Sequence, residues 1–125
     1  VTGATLDTGA LIAFERGTRR ITALVEEARR SNVRLSVPAG VVAEAWRGGA
    51  RQARLASLLR AAVTDVVVLD EIEARAVGTL CAVTGTSDVV DASVVVAARR
   101  AGQTIVTSDP SDIARLAPDS TIVVV

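Results

Sequence analysis

Five short apolar runs are spaced through this chain, and stretches with helical patterning lie between them. The runs are Gly3 to Leu6, Val33 to Val37, Val66 to Leu69, Thr104 to Thr107 and Thr121 to Val125. Short runs bounded by turn residues read as strands. Between the first two, Thr8 is placed to cap a helix over Ala10 to Phe14 that Gly17 stops. Thr18 to Arg30 follows, with Ile21, Leu24, Val25 and Ala28 recurring at the spacing of an amphipathic helix. Pro38 suits the first turn of a helix running to about Trp46. Gly48-Gly49 breaks that helix before a second one over Ala50 to Ala62. Asp70 caps a helix to about Val83, Val89 to Arg100 forms another that ends at Gly102, and Pro110 and Asp112 open a short one to Leu116. Strand and helix alternating in this way predict an α/β domain. Its three layers would hold a mainly parallel sheet of four to five strands flanked by helices. The length of 125 residues fits one domain over 1–125, without repeat or linker.

Aspartates collect at the ends of these elements. Thr86 to Asp112 alone holds Asp88, Asp91, Asp109 and Asp112, half of the eight in the chain. Asp88 and Asp91, three apart, share one face of a helix's first turn. Asp109 falls just past a strand, where α/β folds place their ligands. Asp7 ends the first strand in the same way, and Glu44 lies in an otherwise apolar helical turn. Each has a simpler reading: caps for Asp7, Asp88 and Asp112, and a surface pair with Arg47 for Glu44. Jointly, acids brought together at element ends repel unless a cation lies between them.

Composition narrows the chemistry. All fourteen basic residues are arginine and none is lysine or histidine, with a net charge of zero. Histidine acid–base catalysis, His-ligated zinc, Schiff-base lysines and a P-loop lysine are thereby excluded. A phosphoacceptor domain or aspartyl phosphatase normally sets a lysine against the phosphoryl group, which argues against those too. Oxygen donors suit Mg2+ or Mn2+. Such an ion activates water and stabilises the leaving oxygen of a phosphodiester. Asp7, Asp91 and Asp109 are then the expected metal ligands, directly or through water, and Glu44 would hold a metal-bound water or act as general base. Thr8 and Thr107 would support them. The single Cys81 points to a reducing compartment and an inert core thiol. No basic-then-apolar leader and no run long enough for a membrane span is present, so a cytoplasmic protein without membrane contact is expected.

Leu6-Asp7-Thr8-Gly9-Ala10-Leu11, Pro38 to Glu44, Asp91 to Ala98 and Val106-Thr107-Ser108-Asp109 together resemble the PIN-domain ribonucleases. The resemblance is greatest to the VapC toxins of bacterial toxin–antitoxin pairs, and it runs almost end to end. It implies four catalytic acids at Asp7, Glu44, Asp91 and Asp109, with Asp88 and Asp112 as accessory acids. It also implies an endoribonuclease cutting structured RNA such as tRNA or rRNA, a homodimer, and a cognate antitoxin protein that fills the acidic groove. Such toxins usually carry Ser or Asn two residues after the first Asp. Gly9 stands there in this chain, leaving Thr8, Thr107 or Ser108 to supply the hydroxyl.

Arg47, Arg51 and Arg54, spaced four and three, would form a phosphate track along one helix side, or simply a solvated face. Trp46 belongs to the core or to an interface, and apolar contacts with an antitoxin are expected around Leu11, Phe14 and Trp46. The competing reading is the same fold with a dead site, serving as a catalytically inactive binding module.

Overall fold

The structure, a computed structural model, describes residues 3–125. Its five strands are β1 (Ala4–Leu6), β2 (Leu35–Pro38), β3 (Thr64–Val67), β4 (Thr104–Thr107) and β5 (Ile122–Val124). They form one sheet in the order β3-β2-β1-β4-β5, and every neighbouring pair is parallel. Its helices are α1 (Thr8–Glu15), α2 (Arg19–Ser31), α3 (Ala39–Ala45), α4 (Ala53–Arg60), α5 (Glu71–Thr84), α6 (Val89–Ala101) and α7 (Pro110–Leu116), with a 3-10 turn at Ala50–Gln52. Right-handed crossovers between parallel strands put α1 to α4 on one face and α5 to α7 on the other. The packing agrees: α1 meets α2, α3 and α4, while α5 and α7 meet α6 and each other. Helix α3 also touches α6, joining the two layers just beyond the end of β2.

The central strands are covered on both faces, and β2 is buried throughout, as parallel strands between helical layers must be. One continuous core runs from Leu11, Ile21 and Val25 through Leu6, Val37 and Val106 to Val94 and Ile113. The middle of helix α6 is almost wholly apolar because it is buried on every side. Ala92 to Ala98 are without exception buried, against α5, α7 and the central strands. That packing fixes the position of Asp91, which opens the helix.

Two sequence expectations shift. Strand β3 begins two residues earlier than the apolar run, and Val66, Val68 and Leu69 are 45%, 67% and 52% exposed. The register is set elsewhere: Leu35 pairs with Thr64, Leu35 N–H donates to the Val63 carbonyl, and Arg34 is ion-paired with Asp65. An edge strand has one neighbour only, so its apolar residues need not lie inside. The other change is at α1, where Asp7 is the cap and accepts from Ala10 N–H at 2.8 Å; Thr8 is the first helical residue. No single helix among the described residues is long and apolar enough to cross a membrane.

Candidate active site

The strand order reverses between β1 and β4, and at such a switch point the loops leaving the two strands diverge and open a crevice. Asp7 and Asp109 stand there, just past the ends of those strands. Leu6 pairs with Val106 in register, and Asp7 N–H donates to the Val106 carbonyl, so the two strand ends are level. Asp7 is 7% exposed. Burial raises its carboxyl above the usual range, and the nearby Asp109 charge adds to this. The Thr107 hydroxyl and the Ala10 N–H partly offset the rise.

Asp91 reaches the same crevice from α6. Its carboxyl is pushed up to about 7, first by burial, then by the charge of Asp88 and hydrogen bonding to it, and further by Asp112 and Asp7. Asp88 itself caps α6, accepting from Asp91 N–H at 3.0 Å, so its cap reading holds. Asp112 lies in the first turn of α7 and pairs with Arg115 at 2.6 Å. With Thr86, Asp88 and Asp91 these two line a cleft of ≈ 260 Å³. Asp109 is exposed; its N–H donates to Thr107 Oγ1 at 2.9 Å and its Oδ1 accepts from Ser111 Oγ at 2.8 Å. Thr107 thus touches both strand-end acids.

Glu44 stands at the rim. It is exposed, and its carboxylate accepts from Thr8 Oγ1 at 2.6 Å rather than pairing with Arg47. The structure therefore gathers Asp7, Asp91, Asp109, Asp88 and Asp112 around one crevice and ties Glu44 to it through Thr8. Among the described residues no three acids stand close enough to enclose one ion. Mg2+ takes one or two carboxylates and keeps several waters, so no cage is needed. An oxygen-only donor set in which two carboxyls resist ionisation through burial and the charge of neighbouring acids fits a hard divalent cation.

Gly9 has a steric reason. A β-carbon built there would overlap the Ser108 hydroxyl, lie 3.3 Å from Ser108 Cβ and stand 3.6 Å from Asp7 Oδ1. The Ser108 side chain thus occupies the space beside Asp7 that a side chain at position 9 would fill.

Other expectations fail. Arg47, Arg51 and Arg54 do not share one helix, since Gly48 and Gly49 adopt φ of +82° and +93° and a 3-10 turn intervenes. Arg47 donates to the Ala43 and Trp46 carbonyls, and Arg54 sits 5.4 Å over the Phe14 ring. Leu11 and Phe14 are core, at 0% and 7% exposure, whereas Trp46 is 41% exposed and not core. Cys81 is half-buried. Sequence reasoning missed Gln52, which is buried among exposed arginines. Its Oε1 accepts from Arg47 and Gly48 N–H, and its Nε2 donates to Glu15 Oε1 and the Ala45 carbonyl. A lone amide between arginines was the only signal.

Fold and site together define an acid-centred, parallel α/β protein whose acidic crevice lies at the switch point of its sheet. The chain belongs to the PIN domain family, whose profile matches residues 4–117. It is similar to the crystal structure of VapBC2 from Rickettsia felis bound to a DNA fragment from their promoter. The TM-score is 0.72 at 16% identity, with 98% of each chain covered. It is also similar to the structure of FitAB bound to the IR36 DNA fragment, with TM-score 0.64 and 16% identity, over 96% of this chain and 93% of that one. At that identity the likeness is one of fold. No curated protein compared with the chain matches it.

Proposed function

We propose that this PIN domain is a Mg2+- or Mn2+-dependent endoribonuclease, the toxin of a type II toxin–antitoxin module, acting on structured RNA in the cytoplasm. The observation that carries this reading is the convergence of Asp7, Asp91 and Asp109 from β1, α6 and β4, with the Asp7 and Asp91 carboxyls both raised. Groups so perturbed in a crevice are functional-site candidates. The similar structures are complexes bound to DNA, which supports a partner protein, proposed to be an antitoxin. A homodimer follows from the resemblance to VapC toxins.

Asp7, Asp91 and Asp109 would hold the cation, directly or through water. When bound, the cation supplies positive charge against the scissile phosphate and makes water a better nucleophile. Asp91, raised by burial and by the neighbouring acids, would be held as the carboxylate beside a bound cation, because a positive charge nearby favours the ionised form. Thr107 and the Ala10 N–H keep Asp7 in one orientation. Glu44, held by the Thr8 hydroxyl, would hold a cation-bound water or take a proton from the attacking water as general base. Hydrolysis adds one water across one P–O bond, leaving a phosphate on one fragment and a hydroxyl on the other.

Purified protein should cut structured RNA with Mg2+ or Mn2+, stop in EDTA, and lose most activity in Asp7→Asn and Asp91→Asn. Mapping the fragment 5′ ends after induced expression in cells identifies the RNA. Cleavage indifferent to EDTA and to both substitutions would sink the mechanism. No cleavage of any cellular RNA would favour the inactive binding module.

A further inference from the structure

The net charge of zero conceals a separation. Ten of the fourteen arginines lie between Arg16 and Arg60, with only Glu26, Glu27 and Glu44 among them; the rest of the chain has four arginines against eleven acids. The first segment therefore carries a surplus of seven positive charges and the remainder a surplus of seven negative ones. Pairing sharpens the contrast. All four arginines outside the segment are ion-paired, but within it only Arg30 and Arg34 are. The other eight face no carboxylate partner among the described residues, and each is exposed.

We propose that the layer built by α2, the 3-10 turn and α4 is the surface on which an RNA sugar–phosphate backbone lies while its scissile phosphate enters the acidic crevice. The identity of the nucleic acid rests on the nuclease reading above. The basic surface begins just past the end of α3, the helix that carries Glu44: the Arg47 guanidinium is folded back on the Ala43 carbonyl. It continues through Arg51 and Arg54, where α4 meets α2 at Thr22. It ends in a notch of ≈ 490 Å³ lined by Arg29, Asn32, Ser57 and Arg60. Helix α2 alone, with thirteen residues, extends about 20 Å, enough for several successive phosphates. A crevice of carboxylates repels an approaching polyanion, so binding energy must come from elsewhere, and arginines free of acid partners supply it by counterion release.

The apolar surface decides between RNA and an acidic protein segment. Val66, Val68, Leu69, Ile72, Val83, Val89 and Val124 are the exposed large apolar residues outside this segment; within it Trp46 stands alone. Protein interfaces have an apolar or aromatic centre, whereas nucleic-acid interfaces are polar and positively charged. The basic layer has the second composition.

The test is fluorescence anisotropy of a labelled RNA hairpin in EDTA across a KCl series. It compares wild type, Arg29→Ser/Arg60→Ser, Arg19→Gln/Arg51→Gln, and the ion-paired control Arg75→Gln/Arg99→Gln. Each basic-layer double variant should weaken binding about tenfold at moderate salt. It should also lower the slope of log K against log [KCl] by about 1.4 to 1.8, at roughly 0.7 to 0.9 per phosphate contact. The control should match wild type, and all melting temperatures should agree. An unchanged slope, or an equal loss in the control, overturns the proposal. So does a labelled polyglutamate peptide that binds wild type more tightly than the hairpin at the same salt. The nuclease reading is tested separately with Mg2+. Wild type that binds with the expected slopes but cuts nothing leaves the surface standing and removes the nuclease. Cleavage with an unchanged KM in both arginine variants does the reverse.

Discussion

Asp91 places a proton where a carboxylate normally has none. Its ordinary value is 3.8, and in the fold it is pushed up to about 7. Between those values the folded state holds a proton that the unfolded state releases, so stability must fall as pH rises through that window. Without divalent cation the protein should melt lower at pH 8 than at pH 5. Asp91→Asn should flatten the difference and melt higher than wild type at pH 8, while abolishing cleavage. Thermal scans at the two pH values check this, and equal slopes for both proteins would refute it. At Gly9 the limit is space. Gly9→Ser should displace Ser108 and cost activity tenfold or more, whereas Gly9→Ser combined with Ser108→Gly should recover most of it, since one hydroxyl then occupies the place beside Asp7. Rates of RNA cleavage decide, and a double variant no better than the single one removes the steric argument.

The elements that carry the site are held by groups outside it. Gln52 closes the end of α3 through the Ala45 carbonyl and two loop N–H groups, and ties it to the last turn of α1 through Glu15. Gln52→Leu leaves those groups without their partner, and an unsatisfied buried group costs about 1–3 kcal/mol. The variant should lose roughly 2–4 kcal/mol in urea denaturation, a sum of two or three such groups shielded unequally from water. Its cleavage rate should fall as well, because α3 carries Glu44. A midpoint within error of wild type would show that water replaces the amide. Elsewhere in the chain, Glu73 is buried with its Oε2 2.8 Å from Arg100, and its Oε1 has no partner among the described residues.

At the scale of the whole molecule, two opposed fields meet at one crevice. A cation that binds only the folded state raises its melting temperature by mass action; Mg2+ or Mn2+ should do so for wild type and far less for Asp7→Asn. An antitoxin that inserts an arginine among Asp7, Asp91 and Asp109 must compete with that cation, since a guanidinium matches paired carboxylates. Its affinity, measured by calorimetry at fixed ionic strength, should fall as Mg2+ rises. Affinity independent of Mg2+, in a complex that still cuts RNA, would place the antitoxin elsewhere.

Sequence alone determined the element order and the fold class, because period, caps and breakers are local. Gly102 ends α6 and Asp70 caps α5 as read. It also singled out Asp7 and Asp109, because strand ends in a parallel sheet share one edge and acids just past neighbouring strands stand close together. Only the tertiary structure decided which apolar residues are inside. Leu11 and Phe14 look like Val68 and Leu69 in sequence, yet the first pair lies in the core, on a helix packed against α4 and β4, and the second just past an edge strand whose outer side has no neighbour. It also decided the ion pairs that join separate segments, Arg34 with Asp65, Arg99 with Asp119 and Arg100 with Glu73, whereas the pairs of Arg30, Arg75 and Arg115 lie within single helices. Hydrogen bonds to a backbone are local, and so is the charge of Asp88 on Asp91; the burial that raises Asp91 most, and the added charges of Asp112 and Asp7, exist only once α6, β1 and α7 are brought together.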